Sequence, residues 1–436
     1  MTEAKIQKVV PERQFAGLLE AQLESFALLS NALCRGQVGR WNKRHFFQLI
    51  SEADNLETFL DDYGARTNRT YAPLTALVAS VRWFGKAGYS LAHHLSRLSS
   101  YGATKGLGDE EGTLALKAVH HAAVFVQETA VRLLQETRSE FEALALEVTD
   151  EALSDSHFPP VSVRVQLPRN VGQADPQNEQ QKIVEVASRY LQACEMFAEL
   201  GIRPMDDPEE RAAFLERWCR EEQARVYQAT VHNLQSAYDT HIRNTVLEGE
   251  DDRLPRLRGH CSASLHLLEA VTHLTHFIER HDADDRSEES RARIRELVDR
   301  KEVQAVVLNQ LLVWAHRYLQ AGASAASELL PTYSTVREIE LLLPPDVSLH
   351  ARPVALIVGI VNHYGLPVDM EVGGESASAG SILKLLMTVG AHPDEKRFVF
   401  RGDDRSLRDI QLLFESGLGE RGMESLPDEL DYLRQR

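Results

Sequence analysis

Only four cysteines occur in 436 residues, and Cys34, Cys194, Cys219 and Cys261 lie too far apart to form a Cys-x-x-Cys pair. That excludes a disulfide framework or a zinc ribbon and suits reduced thiols buried in the helices of a cytoplasmic protein. Cationic residues are also in deficit, since 48 Lys and Arg against 65 Asp and Glu leave a net charge of −17. A nucleic-acid surface neutralises phosphates with clustered Lys and Arg, so nucleic acid is not an expected partner. No apolar run is long enough to span a bilayer, so no membrane insertion is expected. The start Met1-Thr2-Glu3-Ala4-Lys5 lacks the apolar core of a secretory signal, and a cytoplasmic location is the expectation. A Gly-rich phosphate loop, a Ser-His-Asp elbow and a Walker-type lysine are all missing, so neither a bound cofactor nor a turnover enzyme is expected.

What is present is enough apolar residue to build cores: 43% of the chain is hydrophobic and 26% charged, and this length calls for several domains. Residues 1 to about 330 read as almost wholly helical, with apolar positions three and four apart. Helical stretches are expected over Pro11–Cys34, Asn42–Tyr63 (ended by Gly64), Tyr71–Leu98 and Glu110–Leu146. Four amphipathic segments with short joins bury their stripes most simply as an antiparallel bundle, placed at residues 1–150. Residues 154–176, with prolines at 159, 160, 168 and 176, read as a linker, although Val161–Val165 alternates like one strand. Four further stretches, Asn178–Leu200, Asp207–Asn244, Pro255–Arg280 and Glu288–Leu319, make a second bundle at 177–330 or extend the first into one helical domain. The run Ala321 to Pro331 reads as the joint to a separate C-terminal domain. Trp41, Trp83, Trp218 and Trp314 are expected as core or interface anchors, and Glu248–Asp252 as a solvated acidic turn.

Histidines raise two questions in the helical part. His266, Glu269, His273 and His276 share one helix face and have the chemistry of metal ligands, but one helix cannot enclose an ion and the Glu-x-x-His pairs of di-iron bundles are missing. A polar face is the expectation there, and no metal. The pairs His93-His94 and His120-His121 suggest a second phosphoacceptor in a bundle. Adjacent helical residues diverge by about 100°, so at most one of each pair can face a common site.

The most informative run is Ser348-Leu349-His350-Ala351-Arg352-Pro353-Val354-Ala355. A histidine stands just ahead of an apolar helix, Pro353 marks its first turn, and an arginine comes two residues after the histidine. Unpaired N–H groups at a helix start, the helix dipole and a guanidinium together favour a phosphate. The imidazole would be a nucleophile with its captured phosphate already cradled.

Leu349-His350-Ala351-Arg352-Pro353 resembles the active-site signature of the histidine-containing phosphocarrier (HPr) family of the bacterial phosphotransferase system. The likeness extends over roughly 336–418. Arg337–Leu343 reads as a strand, Pro353–Tyr364 as a helix closed by Gly365, Leu366–Val372 as a second strand, Gly373-Gly374 as the turn and Glu375–Ala379 as a third strand. Ser381 opens a short helix ending at Gly390, Arg397–Arg401 is a last strand, and Ser406–Gly417 a last helix with Ser406 as N-cap and Asp409 three residues on. Ser348 departs from the family's usual glycine, and the helix after Ser381 carries one extra residue.

The resemblance implies an α/β open-faced sandwich, β-α-β-β-α-β-α, at 336–420 behind the all-α region, with 421–436 as a C-terminal tail. It implies that His350 accepts phosphate from an Enzyme I-like donor, that Arg352 clamps it and that the Ala351 and Arg352 N–H groups complete the cradle. Ser381 takes the place of a serine that a dedicated kinase modifies. Pro353, Ile382, Leu383 and Leu385 would dock partners, among them a sugar-specific acceptor or a regulatory protein. The runner-up reading is a regulatory or scaffold protein whose helical region binds an output partner under control of the phosphorylation state at His350. A homodimer through an apolar patch of the helical region is also expected.

Overall fold

The computed structural model of the chain describes residues 9–35, 41–159, 176–281, 288–343 and 347–434. The expected strand Val161–Val165 and the start at residues 1–5 lie outside the described residues. The chain is mostly helical, with one four-stranded antiparallel sheet near its C-terminal end, and no described helix is long and apolar enough to cross a membrane. Two compact units form: residues 1–168, 197–232 and 259–321 make the first, and residues 169–196, 233–258 and 322–436 the second. The units therefore cut across the division expected between 1–150 and 177–330.

In the first unit, α1 (Glu12–Arg35), α2 (Lys43–Asp62), α3 (Ala72–Tyr101) and α5 (Asp109–Ala143) match the expected helices closely, and a short α4 (Ala103–Leu107) that was not expected lies between the last two. Helices α1, α2, α3 and α5 pack in a closed ring, each against two of the others. Leu19, Leu23, Leu49, Leu60, Leu77, Phe84, Val119 and Leu133 fill its centre and are fully or almost fully buried. Asn42 starts α2 with its side chain accepting the N–H of Arg44 and of His45, while its own N–H donates to His45 Nδ1. This reproduces a capping box with histidine in the usual place of Glu or Gln.

The later helices are α6 (Pro176–Glu199), α7 (Pro208–Trp218), α8 (Glu221–His241), α9 (Val246–Glu250), α10 (Arg253–His276), α11 (Glu288–Leu297), α12 (Arg300–Ala305), α13 (Val313–Ala321) and α14 (Ala323–Tyr333). In the first unit α11 packs against α3, and the π-helical turn Val306–Leu312 against α5, so the second helical stretch folds back onto the first. Gly259 in α10 lets that helix meet the Tyr101 carbonyl at the end of α3, where any Cβ would collide with backbone. The expected single helix Asp207–Asn244 is broken at Cys219 and Arg220. Gln223 bridges the break, accepting the Arg220 N–H at 2.9 Å and donating to the Arg217 carbonyl at 3.0 Å, and Tyr227 Oη donates to the Trp218 carbonyl at 2.6 Å. The joint expected at Ala321–Pro331 is instead α14, because an alanine-rich run with one late proline favours helix over linker.

In the second unit, from residue 336 onward, the order is β1 (Val336–Leu342), α15 (Ala351–Tyr364), β2 (Val368–Val372), β3 (Glu375–Ser378), α16 (Ile382–Ala391), β4 (Arg397–Asp403) and α17 (Asp404–Glu415). The strands lie in the order β1-β4-β2-β3, with Glu338 opposite Arg401 and Arg401 opposite Asp369. One face buries Val368, Met370, Val372, Phe398 and Phe400 against Val354, Ile357 and Ile360 of α15, Leu385 of α16 and Leu407, Ile410 and Leu413 of α17. The alternating residues Asp369, Glu371, Arg397 and Arg401 are exposed, the period-two signature of a sheet covered on one side. Helix α17 begins earlier than expected: Asp403 is its N-cap, accepting the Arg405 N–H at 3.1 Å, while Ser406 is buried within it. The segment 421–434 packs on the same core through Leu426, Leu430 and Leu433.

Candidate functional site

His350 is the N-cap of α15, in extended backbone at φ −101° and ψ −168°. Its Nδ1 accepts the Arg352 N–H at 3.3 Å, and its Nε2 lies 2.7 Å from Glu420 Oε1. An N–H can only donate, so Nδ1 carries the lone pair; the carboxylate can only accept, so Nε2 carries the proton. The two contacts select one neutral tautomer and aim its nucleophilic nitrogen at the helix start. The imidazole side chain is 50% exposed and Glu420 35% exposed, so the pair is open to a second molecule. Ala351 and Arg352 come next and are exposed, while Pro353 has no N–H to satisfy and the Val354 N–H already donates to the His350 carbonyl at 3.1 Å.

Glu420 is a site residue that the sequence pattern does not reveal. It lies seventy positions beyond His350, in a loop held by Gly417, Leu418 and Gly419 in the left-handed region, at φ 82°, 57° and 70°. The glycine-rich run Gly417-Leu418-Gly419-Glu420-Arg421-Gly422 signals a tight turn. Nothing in it says where the carboxylate points. The loop is held by backbone bonds, from the Leu418 N–H to the Leu413 carbonyl at 2.8 Å and from the Gly417 N–H to the Phe414 carbonyl at 3.1 Å. Elsewhere in the same unit Asp409 accepts both Tyr364 Oη at 2.7 Å and Tyr432 Oη at 2.6 Å, and Tyr432 stacks on His363 at 3.7 Å.

No family model, curated protein or solved structure matches the chain. The site therefore stands on its own geometry.

Ser381 caps α16, its Oγ accepting the Lys384 N–H at 3.4 Å. Of the four residues expected to dock a partner, two are displaced from that role by burial. Leu385 is 0% exposed in the core, and Pro353 is buried in the first turn of α15. Ile382 and Leu383 are exposed, at 45% and 69%, and Met387, not singled out in the sequence, joins them at 67%. Helix α16 packs against α15, the helix that His350 caps.

In the first unit the shared histidine face of α10 is engaged piecemeal. His266 Nδ1 lies 3.0 Å from Glu269 Oε2, His276 Nδ1 lies 2.8 Å from Glu221 Oε1 and its ring stacks on Trp83 at 3.6 Å, and His273 is turned toward Trp83 in the interior. Among the described residues, no group of three His, Cys, Asp or Glu is arranged to hold a metal ion.

Proposed function

We propose that residues 336–420 form a phosphocarrier domain in which His350 accepts a phosphoryl group from an Enzyme I-like donor and then passes it on or holds it as a regulatory mark. The observation that carries this reading is the pair of contacts on one imidazole. A backbone N–H at a helix start faces Nδ1, and a carboxylate accepts a hydrogen bond from the Nε2–H. Once Nδ1 is bonded to phosphorus, the ring tends toward an imidazolium, whose positive charge Glu420 would stabilise. The Arg352 N–H would turn from Nδ1 to a phosphoryl oxygen, and the Arg352 guanidinium would neutralise the new charge. The exposed Ile382, Leu383 and Met387 supply an apolar patch of the kind that docks a partner protein. The β-α-β-β-α-β-α order over the segment that resembles the family agrees with this reading.

The test is the intact mass of the purified protein after incubation with phosphoenolpyruvate and Enzyme I, beside a His350→Ala control. An acid-labile phosphate on the native chain and none on the variant supports the proposal. An unmodified native chain contradicts it. Chasing the label into a sugar-specific acceptor separates onward transfer from retention as a regulatory mark.

A further inference from the structure

The pair His93-His94 on α3 is resolved by the fold into two different fates. His94 is 0% exposed and lies edge-on to Tyr318, with ring centroids 5.8 Å apart. His93 is only half-buried, and Lys43 Nζ, from the first position of α2, lies 2.6 Å from its Nδ1. An ammonium has no lone pair to offer, so Nδ1 is the acceptor and the ring proton sits on Nε2. Arg97 stands one helical turn further along α3 and adds a second cation close enough to act on the ring. The His266 ring lies 4.3 Å from the His93 ring and is itself paired with Glu269. Burial first, then the neighbouring His266 and Lys43, hold His93 down to about 4, so its imidazole is neutral and nucleophilic at pH 7. The arrangement shares with His350 a neutral imidazole, a donor on Nδ1 and a nearby arginine. His121, from the other adjacent pair, has its Nδ1 2.9 Å from the side-chain amide oxygen of Gln310.

We propose that His93 is a second phosphoacceptor, taking a phosphoryl group onto Nδ1 from a phosphoramidate donor, with Lys43 and Arg97 neutralising it. The proposal rests on the phosphocarrier reading for the chemical class of its donor, a phosphohistidine. In the transfer, the His93 Nδ1 lone pair forms a new P–N bond while the donor's P–N bond breaks and its electron pair returns to the donor nitrogen. Each ring keeps its other N–H, so phosphohistidine and histidine exchange roles and no further reactant is consumed.

The experiment treats the full-length protein, and its His350→Ala, His93→Gln and Lys43→Gln variants, with the small donor phosphoramidate, whose leaving nitrogen departs as ammonia. Phosphate is then mapped to individual histidines at alkaline pH, with far-ultraviolet circular dichroism confirming that each variant is folded. The expected result is phosphate on His93 in both the native chain and His350→Ala, lost in His93→Gln and slowed at least about tenfold in Lys43→Gln. Phosphate on His350 alone overturns the inference and leaves the reading of His350 standing. Phosphate on His93 alone supports the inference and counts against that reading. Labelling of the exposed His157 and His232 at the rate of His93, or no labelling at all, overturns it as well.

Discussion

At the scale of single residues, the site depends on which nitrogen of His350 is free. Glu420 fixes this by accepting a hydrogen bond from the Nε2–H, so Glu420→Gln should leave the fold unchanged and slow phosphorylation of His350 by about tenfold, roughly 1.4 kcal/mol of lost transition-state stabilisation. An unchanged initial rate in a rapid-quench time course would remove Glu420 from the site. Asp409 ties α15 and the C-terminal segment to α17. It accepts two phenols, and burial together with the Asp409 carboxylate raises the pKa of both Tyr364 and Tyr432. Asp409→Asn should cost about 1–3 kcal/mol in urea unfolding, because the phenols lose a charged acceptor. The place of His350 and Arg352 at a helix start was legible in the sequence because a helix-start motif is local. Glu420 and Asp409 were not, since their roles come from a left-handed loop and from contacts distant in the chain. The expected capping pair Ser406 and Asp409 failed for the same reason: Asp403 stood nearer the helix start, and Asp409 was drawn to the two tyrosines.

At the scale of elements, α16 is apolar on nearly every side, so its sequence does not say which side faces the core. The structure divides it: Leu385 is fully buried, whereas Ile382, Leu383 and Met387 are exposed. Leu385→Ala should therefore cost about 2–5 kcal/mol of stability. Leu383→Ala and Met387→Ala should change stability by less than about 0.5 kcal/mol, yet raise the KM for the phosphodonor protein. Equal stability losses at positions 383 and 385 would contradict this division. Long helices were legible from their 3.6-residue period, and α1, α2, α3 and α5 fall where the pattern places them. The break between α7 and α8 was hidden because no glycine or proline marks it; Gln223 and Tyr227 satisfy the loose backbone groups from the side-chain level. The start of α12 at the N-cap Asp299, which accepts the Lys301 N–H at 2.8 Å, carried a readable signal.

At the scale of the whole molecule, the first unit keeps several histidines neutral inside its helices. Burial lowers His94 to about 3 and His93 and His273 to about 4, with neighbouring cations or other histidines adding to the shift. These values lie below the ordinary 6.5 of an unfolded chain, so the unfolded state binds more protons as the pH drops. Their contribution is fully present above about pH 6.5 and is lost as the pH falls toward 4. The urea midpoint should accordingly fall between pH 7 and about pH 5, and His94→Leu should flatten that fall; an equally steep fall in the variant would exclude His94 as a cause. The helical class of residues 1–330 was legible from composition and period. The partition into units was not, because it depends on which helices pack together, and periodicity shows only that each has a face to bury. The chemistry proposed for the whole rests on one atom, and nitrogen-edited NMR of the histidine-labelled, phosphorylated protein addresses it most directly. Phosphorus bonded to Nδ1 of His350 is the expected result; phosphate on Nε2, or none on His350 at all, would contradict it.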